Sequence, residues 1–172
     1  MSTLEICKAT IDDVKKLQTI GRQTFFETFA NVNNEENINK YLNESFADEK
    51  LKAELNNPNS YFYLAVLENN VIGYLKLNTA CAQTEKQADD ALEIQRIYVS
   101  KEFHGKKVAQ ILYAQAEQMA EEIKASYMWL GVWENNCRAV SFYTKNGFVK
   151  FDTHIFRFGD EEQIDLLMKK VL

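Results

Sequence analysis

Residues 91–133 constrain the fold of this chain more than any other stretch. "ALEIQRIYV" reads as a strand and "YMWLGVW" as a buried strand. Between them, "SKEFHGKKVAQILYAQAEQMAEEIKAS" carries a short basic turn and then an amphipathic helix. A strand–helix–strand unit of this kind predicts a mixed α/β sheet. The turn is chemically informative. The first amides of a helix have no partner inside it, and the aligned peptide dipoles make that end partly positive. Gly105, Lys106 and Lys107 stand there. The two lysines add positive charge instead of cancelling it, and such a site suits an anion, most often a phosphate.

The other elements follow from periodicity. "LEICKAT" predicts a first strand, and Thr10 and Asp13 have capping-box spacing for a helix whose apolar stripe runs Ile11, Val14, Leu17, Ile20, Thr24, Phe25 and Phe29. "NNEENINKYLNESF" predicts a second helix burying Ile38, Tyr41, Leu42 and Phe46, and "DEKLKAEL" a third, stopped by "NNPNS". "SYFYLAVLE" and "VIGYLKLNT" flank an "NN" hairpin signal. "CAQTEKQADD" is a polar loop, "NCRAVSFYTKNG" a helix closed by Gly147, and "FVKFDTHIFRF" and "EQIDLLMKKVL" two final strands.

With 172 residues and 46% apolar side chains, one folded domain spanning 1–172 is expected. A net charge of −5 argues against a general nucleic-acid binder. The N-terminal residues have no signal-peptide pattern, and no apolar run reaches membrane-span length, so a cytoplasmic protein with no membrane partner is expected. Cys7, Cys81 and Cys137 are odd in number and widely spaced, which predicts reduced thiols. His104 and His154 lack ligand spacing with each other or with a cysteine, so no metal is expected. P-loop, dinucleotide-fingerprint and nucleophile-elbow motifs are all missing.

What remains is the strand, the anion-ready turn, its helix, a second strand and "ENNCRAVSFYTKNGF". This combination resembles the GNAT family of N-acetyltransferases, which move an acetyl group from acetyl-CoA to an amine. The family pattern N-x-x-A-x-x-F-Y-x-x-x-G-F is met at Asn136, Ala139, Phe142, Tyr143, Gly147 and Phe148. The family's pyrophosphate loop, [QR]-x-x-G-x-[GA], aligns with His104 to Ala109, where only Ala109 matches. Lys107 stands where the central glycine is usual, and the expectation is that this position is already helical, where lysine is tolerated. "TFFETF", "LEIQRIYV", "WLGVWENN" and "GDEEQIDLLM" give a further likeness to spermidine/spermine acetyltransferases of the PaiA type.

The resemblance implies a mixed, mostly antiparallel central sheet with flanking helices, and acetyl-CoA as cosubstrate. The CoA arm would lie along the fourth strand against Ile97, Tyr98 and Val99, chiefly through backbone groups. The diphosphate would meet the amides of His104, Gly105, Lys106, Lys107, Val108 and Ala109, and Asn136 would reach the arm while also capping its helix. His104 could contact a phosphate or be an ordinary surface histidine. The family's chemistry needs a base and an acid. An amine of pKa ~10.4 is neutral in only about one molecule in a few thousand at pH 7. Glu93 is the candidate base, acting through water, and the alternative is a strand glutamate paired with Arg96. Tyr143 is the candidate acid for the departing thiolate, and the alternative is a packed helix tyrosine. Phe25, Glu27 and Phe29 are the candidate acceptor-binding residues, with Asp89 and Asp90, which precede the fourth strand, as further carboxylates.

The first expectation is therefore an N-acetyltransferase acting on a polyamine by direct attack. Another small amine, an amino acid or a protein N-terminus stays open as acceptor. A non-catalytic acyl-CoA sensor is the reading from a different class. The sequence leaves a homodimer open.

Overall fold

The computed structural model describes residues 3–172. Its elements are β1 (Glu5–Lys8), α1 (Val14–Phe29), α2 (Glu35–Ser45), α3 (Asp48–Asn56), β2 (Ser60–Leu67), β3 (Asn70–Thr79), β4 (Leu92–Val99), α4 (Val108–Glu122), β5 (Tyr127–Trp133), α5 (Cys137–Lys145), β6 (Val149–Phe158) and β7 (Glu161–Val171). Every expected element is present. Two differ in detail. The Thr10–Asp13 pair, with the Thr10 amide donating to the Asp13 carboxylate at 2.9 Å, caps a single 3₁₀ turn that leads into α1. The β2–β3 turn is made by Glu68 and Asn69, one position earlier than the "NN" signal, because both take positive φ (49° and 65°).

The strand order is β1-β2-β3-β4-β5-β7-β6. All neighbours are antiparallel except β4 and β5, which are parallel because α4 carries the chain back between them. Alternation along β3 serves two cores. Tyr74 packs with Leu17, Ile38, Leu42 and Phe46 of the α1–α3 layer. Leu75 and Leu77 pack with Leu112, Tyr113 and Ala116 of α4 and with Tyr143 of α5. The α1–α3 layer is tight at Gly21, where an added Cβ would lie 2.2 Å from the Phe46 ring.

Two features of β4 open the sheet. Its ladder to β5 consists of Leu92↔Met128 and Glu93↔Trp129 only. Gln95 is then an extra residue in β4, since Ile94 pairs with Leu77 and Arg96 with Lys76. A bulge bends the strand that carries it, and here it turns β4 away from β5.

Candidate active site

Beyond Glu93 the diverging β4 and β5 leave backbone groups facing a gap. The Ser100 amide bonds the Ile72 carbonyl at 2.8 Å, which sets the phase of the β3–β4 ladder. Gly73↔Val99 and Leu75↔Ile97 then fall at positions not hydrogen-bonded to β3. The N–H and C=O groups of Ile97 and the N–H of Val99 point to the open side, ready for an added extended segment, while the Val99 carbonyl is taken by the His104 ring at 2.8 Å. The Tyr98 side chain lies on the α1–α3 face, its ring 6.0 Å from that of Tyr74, and burial holds its phenol well above the usual range.

At the foot of the gap is the turn before α4. The Ile111 amide, bonded to the Lys107 carbonyl at 3.1 Å, is the first in α4 with a backbone acceptor among the described residues. The amides of Val108, Ala109 and Gln110 are left at an open helix end. Val108 itself is buried and anchors that end to the core. Gly105 has φ +78° and Lys107 φ +64°. This corrects the expectation for Lys107. The position lies just before the helix in the left-handed region, the conformation for which the usual glycine is suited. The Lys106 ammonium sits 4.7 Å above the Phe103 ring, and the Lys107 side chain is exposed.

The gap widens into a cleft of about 380 Å³. On the α5 side it is lined by Asn136, Ala139 and Tyr143. The Asn136 side chain accepts the Ala139 amide at 3.2 Å and so caps α5. Tyr143 is 8% exposed, with the rings of Phe142 and Phe148 at 5.4 and 5.6 Å. Burial, with the nearby Tyr113 adding to it, pushes the Tyr143 phenol far up, so it stays protonated at neutral pH.

On the opposite side, Phe25 and Phe29 of α1 line the cleft with Tyr41, Trp133, Phe156 and Phe158. Phe25 stacks on Tyr41 at 4.2 Å. Glu27 lies outside the lining: its carboxylate accepts the Lys101 amide at 2.8 Å and the Gln23 side chain at 2.9 Å, which ties α1 to the segment after β4. Asp89 and Asp90 are exposed and are also outside it.

Glu93 is 2% exposed and lines the cleft. Its carboxylate accepts the Asn78 amide nitrogen at 2.9 Å, the Thr84 backbone N–H at 2.9 Å, and the Thr84 hydroxyl. No Arg96 pair exists among the described residues. The Arg96 guanidinium packs 5.1 Å from the Phe46 ring instead. Gln83, Thr84 and Glu85 form a strap over the sheet. Gln83 accepts the Trp129 indole N–H at 2.7 Å, Thr84 meets Glu93, and Glu85 meets His154 Nδ1 at 2.8 Å.

Glu85, Glu93 and Asp165 thus put three carboxylates on one cleft. Asp165 faces Gly131, where an added Cβ would be 3.8 Å from its carboxylate. Burial raises the Asp165 pKa to about 6, against the lowering effect of His154. Thr84, Glu85, Asp165, Tyr41, Trp133, Phe156 and Phe158 were not among the expected site residues. Strand alternation of 154, 156 and 158 carried a signal for the last two. The loop residues carried none.

Comparison with known proteins adds the family. The model of the Acetyltransferase (GNAT) family matches residues 26–148. An uncharacterised N-acetyltransferase of Lactobacillus delbrueckii subsp. lactis is 37% identical over 172 residues, covering 100% of this chain and 99% of that protein. The spermidine N(1)-acetyltransferase of Thermoplasma acidophilum is 29% identical over 155 residues, 88% of this chain and 91% of that one. The crystal structure of the PaiA N-acetyltransferase from Thermoplasma acidophilum in complex with coenzyme A superposes with a TM-score of 0.83 at 28% identity, covering 99% of both chains.

Proposed function

From the premise that this chain belongs to the GNAT family and is an acetyl-CoA-dependent N-acetyltransferase, we propose that its acceptor is a polyamine such as spermidine or spermine. The observation that carries this is the cleft itself, in which Glu85, Glu93 and Asp165 stand among Phe25, Phe29, Tyr41 and Trp133. A polyamine is a string of ammonium groups joined by methylenes. Carboxylates complement the first and aromatic walls the second. The spermidine N(1)-acetyltransferase likeness supports the same acceptor class.

When bound, acetyl-CoA supplies the thioester carbonyl that the amine attacks. The open edge at Ile97 and the Val99 N–H suits its extended arm, and the open amides of Val108 and Ala109 suit its diphosphate. Gly105, Lys106 and Lys107 shape that turn. Glu93 takes the amine's proton, passed through water or through the Thr84 hydroxyl that already bonds it. A backbone N–H of the β4 gap would supply the donor that the carbonyl oxygen needs as it gains charge. The amine nitrogen bonds the carbonyl carbon, the carbon–sulfur bond breaks, and Tyr143 gives a hydrogen bond and then its proton to the leaving sulfur. Burial keeps the Tyr143 phenol protonated and so available as a hydrogen-bond donor to the sulfur.

The test is thiol release from acetyl-CoA with spermidine, spermine, lysine, several amino acids and an N-terminal peptide as acceptors. Faster release with the polyamines is expected. Equal or greater rates with the peptide or an amino acid would overturn the acceptor class and leave the acetyltransferase chemistry standing.

A further inference from the structure

His104 makes two side-chain contacts that together fix its chemical form. Nε2 lies 2.8 Å from the Val99 carbonyl, and Nδ1 meets Nη1 of Arg138. A carbonyl only accepts, so Nε2 carries the proton. A guanidinium only donates, so Nδ1 is the acceptor. The ring so placed bridges the end of β4 to the first turn of α5.

Arg138 is the group so held. It follows Asn136 in α5, and His104 is joined directly to Gly105, the first residue of the turn with positive φ. The bridge brings a guanidinium to the open end of α4. Of the other cations there, Lys106 is occupied over the Phe103 ring and the Lys107 side chain is exposed. A guanidinium presents paired donors in a plane, a shape that matches phosphate oxygens better than an ammonium does.

We infer that Arg138 contacts the diphosphate of CoA and that His104 is the positioning residue that aims it. The inference rests on the reading of 104–109 as the diphosphate turn. It also gives a reason why histidine works where the family pattern allows a glutamine. A glutamine can donate to the Val99 carbonyl and accept from Arg138, as the imidazole does. An arginine or an apolar residue cannot do both.

The test is CoA binding by calorimetry, which needs no acceptor, on the full chain. R138A and H104L should each weaken CoA about tenfold, the loss of one charge-assisted hydrogen bond. The double variant should be no weaker than either single one. H104Q should bind within about threefold of the native protein. The R138A loss should persist with 3′-dephospho-CoA, which keeps the diphosphate, and melting temperatures should stay unchanged. Unchanged CoA affinity in R138A, additive losses, failure of H104Q to restore binding, or a loss that vanishes with 3′-dephospho-CoA would each overturn the inference. K107E separates the two levels: a loss there without one in R138A removes only the Arg138 role, whereas no loss in either removes the diphosphate-turn reading as well.

Discussion

Glu93 and Trp129 form the last register pair between β4 and β5, and both line the cleft that opens beyond them. The proposed base therefore stands at the root of the gap, with the strand ladder on one side and the reacting groups on the other. Its three hydrogen bonds come from two other segments, Asn78 on β3 and Thr84 on the strap. That arrangement fixes the carboxylate without filling the cleft.

E93Q is expected to lower kcat by about 100-fold or more, the usual span for a lost acid–base group, with little change in CoA affinity. T84V, which keeps the backbone N–H and loses the hydroxyl, should lower kcat by about tenfold. Steady-state rates with a saturating acceptor read both. Native kcat in E93Q would remove Glu93 from the proton path.

Y143F should retain CoA binding and lose on the order of tenfold or more in kcat. Burial raises the phenol, so the native enzyme should show no alkaline loss of activity from Tyr143 within the ordinary phenol range. Comparing rates across pH for the two proteins separates this role from packing against Phe142 and Phe148.

Asp165 should tie acceptor binding to pH. Its folded pKa, about 6, lies above the unfolded value of ~3.9. The native state thus holds a proton that the unfolded chain has released. The resulting stability is full below about pH 4 and is lost as pH rises through about 6. The KM for spermidine should fall over the upper part of the same window, as the carboxylate ionises, and D165N should flatten that dependence. D165N should also be more stable at pH 7 by on the order of 1 kcal/mol, after allowing for solvent screening of a partly exposed group. Spermidine titrations and melts from pH 4.5 to 8 measure the two effects.

K107G should stabilise the fold by about 1 kcal/mol, because a non-glycine residue in the left-handed region carries a steric cost that glycine avoids. CoA affinity should change by less than about threefold, since the backbone already has the turn's shape. Chemical denaturation and calorimetry test the pair. A tenfold gain in affinity would mean that lysine distorts the turn as it stands.

Removing Glu54 should expose the cost of a buried lysine. Lys76 is 3% exposed, pairs with Glu54 at 2.9 Å, and is pulled down to about 8 by burial. Its folded pKa lies below the unfolded value, so lysine protonation opposes folding as pH falls from about 10 to 8. E54A should cost about 3 kcal/mol at pH 7 by leaving the charge unpaired, and less above pH 9. Urea melts at pH 7 and 9.5 decide this.

The amino-acid sequence determined the element order, the anion-ready helix start and the α5 pattern from Asn136 to Phe148, because each depends on residues near one another in the chain. Periodicity marked Leu17, Ile38 and Leu42 as buried, and the tertiary structure put them in one core. The family resemblance, not periodicity, marked Glu93, Tyr143, Phe25 and Phe29, all of which reach the cleft. It failed for Glu27, whose carboxylate serves the Lys101 amide, a partner far along the chain. Only the tertiary structure decided where β4 and β5 part, since the bulge at Gln95 is defined by its pairing with β3 and not by its own sequence. It alone brought Thr84, Glu85 and Asp165 to the same cleft. It also showed Lys107 outside the helix, because φ is set by how the turn must join β4 to α4. Hydrophobic period and motif spacing encode local structure; which polar groups meet depends on long-range register, and a single sequence does not display it.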